Sequence, residues 1–526
     1  MAGLSRESES PYQRTLVFGL GLLLVLRVGF LLVSPLNLYA DEAQYWRWGE
    51  TLDWGYYSKP PMIAWVIHGV TALMGNSEWA VRLAAPFLHT AGAIFLFLLG
   101  RAVYDARTGM YAAFLYALMP AVILSSAVIS TDGVLMPFWC AALYALWRLR
   151  SGEGRWASAM GLGVAVGAGF LSKYAMLYFI IGIALTLALD RETRRALLSW
   201  RGLVALLIAG AIFAPHIAWN AANDFKTVSH TVDNANLGGE LFHPEHALTF
   251  LADQMGVFGP ISLIAFAIGL WAMRKAGDGV KQRDRWLLCF VLPVLIIILV
   301  QAVLSRANAN WAATAWPAAS VLVAAWLIRM APAGVRWLWA SLALHVAISV
   351  MFVTVPLLPA SAASQAGFDN ELKRTRGWDT AARAVFAKAA EIGATSVLVD
   401  EREVWHGLDY YARDRTLPLI SWRRYGVPKS FSETVAMAPP LDEKVLVVSL
   451  HAEMRPMMRS DFKTFENAGD IIIPLGKRRN GCALERRFHL YIASGFAPER
   501  HDDAWEARHD GLTEFKTPPC PAPKDQ

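Results

Sequence analysis

Long apolar runs recur along this chain from Thr15 to Leu358, and most approach the roughly 20 residues a helix needs to cross a bilayer. Hydrocarbon offers no partner to backbone N–H and C=O groups. A chain built of such runs must therefore satisfy those groups within each segment, as helices do. The fold class that follows is a polytopic α-helical membrane protein. Composition agrees: 17% of the 526 residues are charged, against about 25% in soluble domains. The spacing predicts about eleven spans, near 15–34, 86–103, 109–129, 134–150, 157–171, 174–189, 202–219, 248–273, 286–304, 311–328 and 337–358. The run from Thr15 to Val33 lacks a small-residue cleavage site and is expected to stay as the first helix.

Charge between the runs orients the chain. With the N-terminus inside, the inner loops hold Arg101, Arg107, Arg148, Arg150, Arg155, Arg191, Arg194, Arg195, Arg201, Arg283, Arg285, Arg329 and Arg336. The outer loops are poor in cations, as the positive-inside rule requires. The net charge of +6 thus reports topology, and nucleic acid is not an expected partner. An odd number of spans places residues 359–526 outside. That part is charged, with a predicted helix from Ala381 to Ile392 and strands at Thr395–Val399, Lys444–Leu450 and Asp470–Pro474. It reads as a small extracytoplasmic α/β domain after a transmembrane domain of residues 1–358. Cys482 and Cys520 lie there and can pair in an oxidising compartment.

The unusual polar residues collect on the outer side. The first outer loop, about 35–86, carries Asp41 and Glu42, then Lys59 before Pro60 and Pro61. Its 13-residue apolar stretch Met62 to Met74 is too short to span and is expected to lie along the interface until Gly75 ends it. Later outer loops hold Asp132, Lys173 and Arg306, and a histidine-bearing loop with His243, Glu245 and His246. Asp41 suits a general base in a partly desolvated cavity, or an interfacial helix cap. Asp132 reads as a second acid or as a cap. Lys59 and Lys173 suit a phosphate oxygen, or snorkel to lipid headgroups. Arg306 suits bidentate phosphate binding. Glu42 reads as a structural or metal-holding partner, and the loop histidines as surface residues without metal-ligand spacing. The expectation is that the carboxylates at 41 and 132 and the cations at 59 and 173 share one chamber at the outer face.

The ordered set Ala40-Asp41-Glu42, Lys59-Pro60-Pro61 with Trp65, Ser130-Thr131-Asp132 and Leu171-Ser172-Lys173 resembles glycosyltransferase family 39 in the broad sense. That family includes the protein O-mannosyltransferases and the lipid A aminoarabinose transferases, with a membrane-embedded GT-C fold. The resemblance covers about residues 10–330. It implies an inverting transferase of the bacterial inner membrane. The donor would be a polyprenyl-phosphate-linked sugar, and the acceptor an envelope glycolipid, such as lipid A or lipopolysaccharide core, or a polysaccharide. Asp41 then matches the catalytic aspartate and Asp132 a second acid. Lys59, Lys173 and, by its chemistry, Arg306 match the substrate-binding set, with Glu42 beside them. The aminoarabinose transferases place a metal-associated glutamate before Lys-Pro-Pro. Here that position is Ser58, which argues against a divalent metal; no cofactor is called for. Two other function classes stay open: a flippase of lipid-linked sugars, which would show midplane charges and repeats, and a non-catalytic envelope assembly protein.

Overall fold

The computed structural model describes residues 11–234, 241–273, 277–368, 373–435, 442–451, 454–478 and 482–509. The chain divides into two compact units. The first comprises residues 1–33 and 51–353, the second residues 34–50 and 354–526.

The first unit is helical. Among the described residues five helices are long and apolar enough to cross a membrane, and nine spans result if each bent pair counts as one. The protein is thus a multi-pass membrane protein. Length and apolarity alone do not reproduce the count of eleven. The predicted spans 134–150 and 157–171 are the helices Thr131–Arg150 and Arg155–Ser172. The first carries Asp132, Arg148 and Arg150, and the second is rich in glycine and alanine, so both fall outside the apolar set. The predicted span 248–273 is also corrected. It is two helices, Pro244–Phe258 and Pro260–Ala272, that meet at 111°. Pro260 lacks an N–H and disfavours helical backbone at the residue before it. Gly259 accordingly takes φ 91°, which a side chain would oppose.

Small residues let the helices approach. A Cβ on Gly163 would lie 2.6 Å from the Ala205 carbonyl oxygen, and one on Gly167 would lie 2.8 Å from Ile212 Cβ. The helix Trp316–Arg329, rich in alanine, is buried along most of its length. Two carboxylates gather the ends predicted to face inward. Asp284, fully buried, accepts from Tyr104 Oη at 2.5 Å, Trp326 Nε1 at 2.7 Å, and Arg329 Nη1 and Nη2 at 2.8 Å each. Asp190 accepts from Arg150 Nε at 2.8 Å and Nη2 at 2.9 Å, the Thr193 N–H at 2.8 Å and Gln282 Nε2 at 3.0 Å. Arg150 and Arg329 are two of the arginines that oriented the chain, so the topological charges also tie helices together.

The second unit holds a five-stranded sheet in the order β2-β1-β3-β5-β4. The strands are β1 Ser396–Val399, β2 Leu419–Ser421, β3 Val445–Ser449, β4 Phe462–Lys477 and β5 Ala483–Phe496. β2, β1 and β3 are parallel, and β5 runs antiparallel to both β3 and β4. Helix Trp378–Glu391 and strands β1 and β3 match the predicted elements, while the predicted strand at 470–474 is the middle of the longer β4. Cys482 is disulfide-bonded, and Cys520 lies outside the described residues.

Residues 34–50 belong to this second unit, so the predicted first outer loop divides at about Glu50. The reason is local packing. Helix Ala40–Gly49 buries Trp46 and Trp48, and their rings meet Tyr410 at 4.9 Å and Phe431 at 5.8 Å. The Asn37 N–H donates to the Thr375 carbonyl at 2.7 Å, and Asn37 Oδ1 accepts from the Trp378 N–H at 2.9 Å.

Replacing Asp284 by alanine would leave the buried Trp326 N–H, the half-buried Tyr104 hydroxyl and the partly exposed Arg329 guanidinium unmatched. Leaving a buried donor such as the Trp326 N–H unpaired costs about 1–3 kcal/mol. Asp284→Ala should markedly lower the thermal unfolding midpoint and the yield of detergent-purified protein. An unchanged midpoint would show that this node does not hold the helix ends.

Candidate functional site

Helix Thr131–Arg150 begins at Ser130, whose hydroxyl accepts from the Gly133 N–H at 3.2 Å. Ser130 is therefore the cap, and the Asp132 carboxylate is left for other contacts. Its Oδ1 accepts from Lys173 Nζ at 2.6 Å and its Oδ2 from Asn310 Nδ2 at 2.9 Å. Lys173 is extended, at φ −163°, between helix Arg155–Ser172 and the turn Tyr174–Met176. Asn310 lies in the turn Ala309–Ala315. Three separate segments thus meet at one carboxylate. The helix N-terminus also favours negative charge there.

A buried chain holds that helix start. Tyr116 Oη lies 3.0 Å from His89 Nδ1, His89 Nε2 lies 2.9 Å from Ser125 Oγ, and Ser125 Oγ lies 3.5 Å from Ser130 Oγ. A Cβ on Gly133 would come within 3.2 Å of Ser125 Oγ and 3.3 Å of His89 Nε2, so the close approach suits glycine. Sequence reading missed His89 and Ser125; a histidine within an apolar run was the available signal.

Lys59 sits in a tethered loop. Its carbonyl accepts from the Tyr56 N–H at 3.2 Å, the Tyr56 carbonyl accepts from Thr227 Oγ1 at 2.6 Å, and the Asp53 carbonyl accepts from Trp65 Nε1 at 3.0 Å. His216 donates from Nδ1 to the Trp54 carbonyl at 2.6 Å and accepts the Tyr174 hydroxyl at Nε2, 2.7 Å away. One buried histidine therefore links the Lys59 loop to the residue beside Lys173. Helix Met62–Met74 follows as predicted, and Gly75 ends it by donating to the Thr71 carbonyl at 2.8 Å. Arg306 is exposed and makes no side-chain hydrogen bond or ion pair among the described residues. His243, Glu245 and His246 offer ligand atoms all within 4.8 Å of one another. Two imidazoles and a carboxylate are a donor set that zinc accepts, whereas the sequence spacing of these residues shows no metal motif and favours surface positions.

Asp41 and Glu42 lie in the second unit. Glu42 is buried, and its Oε2 accepts from the Tyr39 N–H at 3.0 Å, closing the first turn of helix Ala40–Gly49. Asp41 is not the cap, nor is it desolvated: its side chain is 60% exposed. Arg402 Nη2 donates to Asp41 Oδ1 and, at 2.8 Å, to Gln44 Oε1. Arg402 was missed from sequence, although the charged run Asp400-Glu401-Arg402-Glu403 directly follows a predicted strand. Beside it, burial pushes the Asp400 carboxyl up to about 7, opposed by the hydrogen bond from the Ser449 hydroxyl and reinforced by Glu401.

Residues 58–219 match the family described as dolichyl-phosphate-mannose-protein mannosyltransferase, a segment that includes Lys59, Asp132 and Lys173. The chain is 34% identical over 440 residues to the lipid A galacturonosyltransferase RgtD of Rhizobium johnstonii, covering 82% of this chain and 90% of the relative. It belongs to the ArnT-like GT-C glycosyltransferases of family 39. Over 209 residues this glycosyltransferase is also 29% identical to an undecaprenyl phosphate-α-4-amino-4-deoxy-L-arabinose arabinosyl transferase of Pseudomonas fluorescens, covering 37% of this chain and 38% of the relative. The fold is that of ArnT from Cupriavidus metallidurans, with a TM-score of 0.61 at 15% identity over 92% of this chain and all of that one.

The Asp400 shift carries a sign. From 3.8 to about 7, the folded glycosyltransferase holds a proton that the unfolded chain has released. The stability this gives is complete below the unfolded value and is lost as pH rises through about 7. Asp400→Asn should remove the effect. The variant should melt above the parent at pH about 8, with the gap closing toward pH about 4. A gap that widens on acidification would contradict the assignment.

Proposed function

We propose that this glycosyltransferase moves a sugar from a polyprenyl-phosphate carrier to lipid A or lipopolysaccharide core, at the periplasmic face of a bacterial inner membrane. The N-terminus would be cytoplasmic and residues 359–526 periplasmic. The observation that carries this reading is the 34% identity to a lipid A galacturonosyltransferase along 82% of the chain. A solved ArnT, of the same fold, is bound to undecaprenyl phosphate, which supports the donor class.

The reaction is a direct displacement. An acceptor oxygen attacks the anomeric carbon, the bond from that carbon to the phosphate oxygen breaks, and the phosphate leaves on its lipid with the electron pair. Asp41 takes the acceptor proton, a contribution of about 10²- to 10⁴-fold for a general base. Glu42 sets the start of the helix that carries Asp41. Lys59, Lys173 and Arg306 bind the departing phosphate, whose growing charge they stabilise. Asp132 fixes Lys173 through one of the three ammonium donors. The ion pair thereby orients a flexible cation before the donor arrives.

Mass spectrometry of envelope glycolipids, with and without the protein, should show one sugar mass missing in its absence. Asp41→Asn should reproduce that loss at normal protein level, with transfer down by at least about 10²-fold. Full transfer by Asp41→Asn would refute the assignment of the base.

A further inference from the structure

The second unit contains a cavity of about 440 Å³ that the sequence reading did not anticipate. It lies where the parallel strands end: Asp400 follows β1, Trp422 follows β2, and His451 lies two residues beyond β3. The carboxyl edge of parallel strands is the usual ligand side of an open α/β sheet. The volume, toward the small end of ligand sites, fits a sugar ring with one substituent better than a lipid chain.

The walls hold polar atoms with unmet capacity. Asp400 Oδ1 and Arg424 Nε are shielded from solvent and have no hydrogen-bond partner among the described residues. Arg402 uses Nη2 on Asp41 and Gln44, and its Nε and Nη1 make no hydrogen bond among the described residues. Glu401 and His451 pair at 3.3 Å. Arg424 lies 5.3 Å from the centroid of the Tyr425 ring, which also lines the cavity. Two guanidinium groups with open edges call for an acid group. Carboxyl groups beside them suit hydroxyl donors, and an aromatic ring suits the apolar face of a sugar.

We infer that this cavity recognises an acidic sugar headgroup of the acceptor, and that Arg402 couples its arrival to Asp41. The coupling rests on the reading of Asp41 as the base. An acid group on the open edge of Arg402 shares its charge with Asp41. The hold on Asp41 weakens, and its carboxylate is released toward the acceptor proton. The acceptor is favoured over the donor because Asp41, on the same guanidinium, acts on the acceptor. By reciprocity, removing the Asp41 charge must strengthen binding of the acid group.

The test is calorimetric titration of the full-length protein in lipid nanodiscs with glucosamine 6-phosphate as probe. Glucose and inorganic phosphate should each bind at least about 10-fold more weakly, a difference that one lost charge-assisted hydrogen bond supplies. Arg424→Ala, or Arg424→Gln if the first variant does not fold, should weaken the probe by a similar factor without shifting the melting midpoint. Asp41→Asn should tighten it several-fold. Vesicles containing lipid A should displace the probe, and vesicles containing undecaprenyl phosphate should not. Equal binding of glucose or phosphate, indifference to Arg424, no tightening in Asp41→Asn, or displacement by undecaprenyl phosphate alone would overturn the inference. Loss of transfer in Asp41→Asn without this binding pattern would sink the inference and leave the proposed function standing. The pattern together with full transfer in Asp41→Asn would do the reverse: the cavity's ligand would stand, and the catalytic reading of Asp41 would fall.

Discussion

A polar group placed among apolar helices must find its partner inside the protein, because lipid supplies none. That constraint organises the first unit. Asp284 accepts four hydrogen bonds and Asp190 at least four, and each has a bidentate arginine. His89 and His216 each use both ring nitrogens. These groups fix where helices and loops end, and the ends are where Asp132, Lys173 and Lys59 stand. The same demand that ties one set of helix ends together therefore sets the geometry of the other.

On the proposed reading, the Asp132–Lys173 pair is what such geometry offers a leaving phosphate. A lysine side chain has many rotamers, and ordering it costs up to about 2 kcal/mol of entropy. Asp132 meets that cost before substrate binds, and Asn310 holds the second oxygen of the carboxylate. Because Asp132 is anchored through the Ser130 cap and the His89 chain, Lys173 is indexed to the rigid part of the bundle. Arg306 is the contrast: it is exposed and makes no such side-chain anchor among the described residues.

Much of this was legible in sequence because it is local. The apolar runs, the short helix Met62–Met74 with its Gly75 stop, and the β-branched strands β1 and β3 each follow from neighbouring residues. Asp132 and Lys173 were named because both stand at span ends. The failures come from longer range or from a signal passed over. Gly259-Pro260 announces a break inside what hydropathy alone reads as one span. The union of residues 34–50 with 354–526 depends on Trp46 and Trp48 finding Tyr410 and Phe431 more than 350 residues away. No window of sequence contains that information. Arg402 was missed for the same reason.

The position of Asp41 alters what its chemistry can rest on. A base made potent by burial needs an apolar wall, and a side chain 60% exposed has none in this state. What the second unit supplies is direction. Glu42 closes the helix start, Gln44 shares the guanidinium, and Arg402 holds one oxygen of Asp41. Alignment of reacting groups is by itself a large source of rate. On the proposed reading, an oriented, solvent-accessible carboxylate would meet its acceptor without first being dehydrated. The cost is that its charge is already engaged, so any group that draws on Arg402 also changes the hold on Asp41.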